Sequence, residues 1–108
     1  MKRDFSTALV GLGDAKLVDG EGVALTLASV AVSALMGTYQ DEQGITGEEK
    51  FKRYQIAQRL SSAGTQEVTA EEVALIKRLI GKAYTPMVVG PAYIALERDP
   101  DVAPADAS

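Results

Sequence analysis

One stretch of this chain has a single regular conformation open to it: TAEEVALIKRLIGKAY, residues 69–84. Thr69 and Glu72 stand at the spacing of a capping box, and Val68 and Val73 sit where a hydrophobic staple clamps the first turn of a helix. Beyond the cap, Val73, Ile76, Leu79, Ile80 and Ala83 recur on one helical face. Lys77, Arg78 and Lys82 lie off that face, toward the end where cations suit the macrodipole. The pattern predicts an amphipathic helix whose apolar stripe organises the core.

What packs on that stripe follows from the pieces on either side. A chain of 108 residues can close one core but hardly two. We therefore expect a single globular domain over residues 1–97, of class α+β and mostly α: an N-terminal β-hairpin packed on a bundle of about four helices. Trp is absent and only four Tyr and two Phe occur, so Val, Leu, Ile and Ala must build the core.

Residues 5–25 hold short apolar pieces cut by Gly13-Asp14 and by Asp19-Gly20, both of which suit tight turns that need positive φ. They read as a small hairpin, or as a meander whose third piece is Val23–Leu25. No internal repeat stands out. The helical part spans 26–97. Thr26 suits an N-cap, with Leu25 and Val30 at staple positions, for a helix running to about Met36 and ended by Gly37. That helix is apolar nearly all round, which makes it either a central core helix or an oligomer interface centred on Val30.

The polar connection 37–44 leads to a second capping box, Thr46 with Glu49. The pairs Glu48–Lys52 and Glu49–Arg53 then support a helix from about Gly47 to Leu60. Ile56, Ala57 and Leu60 fall on one side of it, Phe51 and Tyr54 on another. Residues 61–67 read as a loop around Gly64. Thr85-Pro86 opens a fourth helix to about Glu97, with a kink expected near Gly90-Pro91 because proline removes one helical bond and crowds the turn before it. Residues 98–108, with two prolines and three aspartates, read as a disordered acidic tail.

The chemistry open to the chain is narrowed by what it lacks. With no Cys and no His, thiol nucleophiles, thiolate metal sites, imidazole bases and imidazole ligands are all missing. The glycines at 11 and 13 lack the third glycine and following helix of a dinucleotide fingerprint. Asp41-Glu42 lacks the alternating oxygens of a calcium loop and reads as a solvated connection. Glu48, Glu49, Glu71 and Glu72 lie in first helical turns, where carboxylates oppose the dipole without any catalytic task. No SxxK spacing occurs. No enzyme, cofactor or metal is expected.

A formal charge of −4 gives no attractive field for nucleic acid or anionic lipid. The basic set Lys50, Lys52, Arg53 and Arg59 is offset by Glu48 and Glu49, leaving a small nucleic-acid-binding regulator as the weakest alternative. Phe51, Tyr54 and Arg53 are side chains that protein interfaces favour, and with Val30 they are the candidate interaction residues. The most apolar run, 23–36, is too short and too interrupted by Ser and Thr to span a bilayer, and no apolar run follows the basic start, so the expected compartment is the cytoplasm.

Four segments together resemble small proteins of tailed bacteriophages and prophages: MKRDFS, LTLASVAVSAL, DEQGITGEEKFKRYQIAQRL and VTAEEVALIKRLIGKAYTPMVVGPAYIALE. The similarity covers about residues 1–97. Its most distinctive parts are Gly47-Glu48-Glu49-Lys50 with Lys52-Arg53-Tyr54, and the block 69–90. It implies a cytoplasmic phage product that works by protein contact, as an assembly factor of the tail-assembly-chaperone kind. An inhibitor of a host defence protein is the alternative, and homo-oligomerisation through the apolar helix and the Phe51/Tyr54 flank is the expectation from the residues themselves. The resemblance transfers no catalytic residues.

Overall fold

The computed structural model describes residues 1–99, and the segment 100–108 of the expected acidic tail lies outside them. Strand β1 (Lys2–Asp4) is followed by loops, then by helices α1 (Leu27–Leu35) and α2 (Gly47–Leu60), strand β2 (Thr65–Glu67), and helices α3 (Ala70–Ala83) and α4 (Pro86–Glu97). The class is α+β and mostly α, as the sequence implies. Its β part, however, is wired over a long distance. β1 pairs antiparallel with β2, Arg3 opposite Gln66, across more than sixty residues of chain. The segment expected to be only a loop after the second helix therefore supplies a strand.

Helices α1, α2 and α3 each begin at a threonine whose side chain caps the first turn, whereas Thr85 makes no such bond and α4 opens on Pro86. Thr26 accepts from the Ser29 amide, Thr46 from Glu49 and Thr69 from Glu72, while Glu72 and Ser29 return a bond to their N-cap amides. At Thr46 the box is half made, because the Glu49 carboxylate turns to Arg53 instead. α4 runs through Pro91 as one helix, and the missing proline amide leaves the Met87 carbonyl without its helical donor.

α1 is the centre of the molecule, packed on α2, α3 and α4. Ala28, Ala31 and Ala34 recur every three residues on it and are buried with Leu27, Val30 and Leu35. Small side chains there let the neighbouring helices approach closely. From α3 the stripe Val73, Ile76, Leu79 and Ile80 is buried as predicted, whereas Ala83 at its end is exposed. Phe5, Leu9, Ile56, Leu60, Val68, Ala92 and Leu96 complete one continuous core.

Residues 7–27 form neither a simple hairpin nor an open meander. Three short arms, Ala8-Leu9-Val10, Lys16-Leu17-Val18 and Ala24-Leu25-Thr26, recur every eight residues and close into a ring. Val10 bridges Lys16, Val18 bridges Ala24, and Thr26 bridges back to Ala8. Inside the ring the Leu17 amide donates to the Leu9 carbonyl at 3.1 Å, Leu25 to Leu17 at 2.9 Å, and Leu9 to Leu25 at 2.9 Å. The residue after each arm repeats a third set of bonds: Gly11 donates to Ala15, Asp19 to Val23, and Leu27 to Thr7. Three kinds of contact thus obey one pseudo-threefold rule.

The turns between arms need left-handed backbone, supplied at Gly13 and Asp14 in the first (φ 67° and 61°) and at Gly22 in the second (φ 82°). In the second turn the Asp19 carboxylate also accepts from the Glu21 and Val23 amides. Alternation along each arm then sorts the side chains. The middle leucines face the core, with Leu9 buried and Leu17 and Leu25 half-buried against it, while Val10 and Val18 stand on the exposed side.

Candidate protein-interaction surface

The connection between α1 and α2, residues 36–46, is built as a strap rather than as a solvated loop. Glu42 receives both terminal nitrogens of Arg53 at 2.7 Å each, a bidentate pair whose two parallel bonds fix orientation as well as position. Arg53 Nε lies 3.4 Å from Glu49, and Lys82 Nζ reaches Glu42 at 3.3 Å and Asp41 at 3.1 Å. The two acidic residues that superficially suggested a calcium loop are therefore bound by protein cations.

Tyr39 locks the other half of the strap. Its hydroxyl donates to the Ala34 carbonyl at 2.6 Å, and Lys82 stands 5.6 Å from the centre of its ring. A Cβ at Gly37 would come within 2.8 Å of that hydroxyl, so the position requires glycine while the tyrosine sits there. Gly44, at φ 85°, turns the strap toward the Thr46 cap.

The electrostatics follow from these contacts. Hydrogen bonding from Arg53 lowers the Glu42 carboxyl from its ordinary 4.5 to about 2, with Lys82 helping against the opposing effect of burial. The same bond raises Arg53 above its ordinary value. Burial, with Glu42 nearby, raises the Tyr39 phenol. At neutral pH Glu42 has no proton to give, and its oxygens face cations. The cluster's bonds hold the shape of the strap.

Between the strap and the N-terminal half of α2 lies a groove of about 420 Å³ walled by Met36, Tyr39, Ile45 and Tyr54, with Lys50 at its wall. Phe51, three residues before Tyr54 and so on the same side of α2, is 60% exposed, and Tyr54 is 49% exposed. These two candidate residues do form a surface pair.

The other two candidates are placed differently. Arg53 is only 5% exposed and is engaged by Glu42 and Glu49, so it shapes the groove from beneath and offers nothing to a partner. Val30 is fully enclosed, because the helix that carries it is surrounded by three others. Its all-round apolar character is explained by central position within one chain, which corrects the reading of Val30 as an interface residue.

Sequence reasoning missed Glu42, Tyr39 and Met36. The available signal was the nearness of two acids and an aromatic to a helix that carries a basic run. Among the described residues, no group of three His, Cys, Asp or Glu side chains could hold a metal ion, and no helix is long and apolar enough to cross a membrane. Comparison with family models, curated proteins and solved structures finds no match to this chain.

Proposed function

We propose that this chain is a non-enzymatic protein-interaction module of phage or prophage origin, acting in the host cytoplasm as an assembly factor of the tail-assembly-chaperone kind. The observation that carries the interaction reading is the Phe51/Tyr54 pair on α2 beside a groove whose walls are held by the Glu42–Arg53 clasp. Aromatic side chains left in water at the rim of a rigid concavity are what a protein partner covers with most gain. The phage part rests on the resemblance of residues 1–97 alone.

The test is capture from infected cells with the tagged full chain, compared with Phe51→Ala/Tyr54→Ala. Recovery of a virion-assembly protein by the native chain and its loss in the double variant is the expected result. Recovery of a host nuclease or other defence complex instead would reassign the chain as an inhibitor. Equal recovery by both chains would remove the α2 flank from the proposal.

A further inference from the structure

The ring of loops leaves an apolar surface that the helical core does not use. Leu12, at the outermost turn, is 94% exposed, and Val10, Val18 and Val23 are exposed with it. The turn that carries Leu12 is well tied: Gly11 donates to Ala15 at 2.7 Å, Ala15 donates back to Leu12, and Gly13 and Asp14 take the left-handed backbone that makes the turn tight. Backbone held this way has little freedom to lose when the leucine it carries is bound, which favours an interface anchor.

The groove lies at the other end of the central helix. α1 leaves the ring at Thr26 and ends at Met36, which walls the groove, and its nine residues rise about 14 Å at 1.5 Å each. Knob and groove therefore sit at opposite ends of α1 and cannot meet within one molecule. Their charges complement each other. On the ring, Asp14, Asp19 and Glu21 outnumber the exposed Lys16 around the valines and Leu12, and Lys50 stands at the groove wall, where the Glu42 carboxylate is taken up by Arg53. Among the described residues neither Asp14 nor Lys50 has an ion-pair partner.

We infer that the occupant of the groove is a second copy of this chain: Leu12 of one molecule enters the groove walled by Met36, Ile45 and Tyr54 of the next, with Asp14 facing Lys50. The contact is head-to-tail, so each bound pair still offers one free knob and one free groove, and assembly continues into a closed ring or an open filament. The inference rests on the proposed interaction function only in using the same groove. It assigns the loop ring a task that function does not require.

Sedimentation of the full chain across a concentration series up to the high micromolar range is the measurement. The native chain is expected to grow past a dimer, while Leu12→Asp and Tyr54→Asp, both altered at exposed positions, each remain folded by circular dichroism and monomeric. Mixing those two variants is expected to give a one-to-one dimer and nothing larger, because one keeps only its groove and the other only its knob.

Asp14→Lys or Lys50→Glu alone should weaken association by about two- to fivefold, and the two together in one chain should restore it. A native chain that stays monomeric, or a mixture that fails to pair, overturns the inference. If the native chain is monomeric yet still captures an assembly protein through Phe51 and Tyr54, only this inference fails. If it self-associates but captures nothing, only the functional proposal fails.

Discussion

The two halves of this molecule are held by different kinds of bond. In the helical part, side chains do the specifying: apolar stripes from α1, α3 and α4 interlock, and threonine caps decide where α1, α2 and α3 start. In the ring of residues 7–27 the main chain does it, through three repeated sets of backbone hydrogen bonds that close on themselves. The first kind tolerates a changed surface but not a changed interior. The second depends on turn backbone and on closure, and spares its outward side chains for other uses.

The largest effect that separates them should come from Val30→Asp. It places a carboxylate at the fully enclosed centre of α1, inside the apolar cluster, and should cost more than about 4 kcal/mol. Because Leu9 and Phe5 share that core, the ring should be lost with the helices in one transition. Two separate transitions in urea would show that the ring stands on its own.

Next in size is the clasp that ties the strap to α2. Arg53→Met leaves Glu42 covered with only Lys82 beside it, at a cost of about 3 kcal/mol. The pH dependence gives a second view. Glu42 is held at about 2 when folded against an ordinary 4.5, so its contribution to stability is full above 4.5 and is lost as pH falls toward 2. Urea midpoints measured between those values should fall more steeply for the native chain than for Arg53→Met, from which the chief cause of the low value has been removed. Parallel slopes would mean that other carboxylates dominate acid unfolding; among the described residues Glu72 and Glu97 are also held below the ordinary value.

The contrast also explains what could be read from the sequence. Helices are written locally: Thr46 followed by Glu49, and Thr69 by Glu72, announce starts within four residues, and the span Gly47–Leu60 is seen where it was expected. Exposure of Phe51 and Tyr54 follows from their place off the Ile56/Ala57/Leu60 side. Pairings made at a distance leave fainter marks. β2 is Thr65-Gln66-Glu67, without an apolar alternation to declare it, and its partner lies more than sixty residues earlier in the chain. The Glu42–Arg53 pair spans a loop and a helix, so no fixed spacing signals it. The eight-residue recurrence of Leu9, Leu17 and Leu25 is present in the sequence, but the intervening turns, GLGDA and DGEGV, spend their glycines at different positions and hide it.

A gentler probe addresses the ring alone. Gly22 sits at φ 82° with open space where a Cβ would go, so Gly22→Ala meets no clash and should cost only about 1 kcal/mol of backbone strain. That cost should appear locally. Hydrogen exchange at the Leu17 and Leu25 amides, whose bonds close the ring, should accelerate while the α3 amides keep the native rate. Uniform acceleration would mean that ring and helices open as one unit.

The smallest effect on stability is expected at the surface proposed for binding. Phe51 is more exposed than covered and is not a member of the buried cluster, so Phe51→Ala should shift stability by less than about 0.5 kcal/mol. Large aromatic side chains left in water gain the folded monomer little, so such a result would leave contact with another molecule as the use of that side chain. If Phe51→Ala instead lowers the urea midpoint as much as Gly22→Ala does, the folded monomer already uses Phe51 and the flank loses its claim as a free docking face.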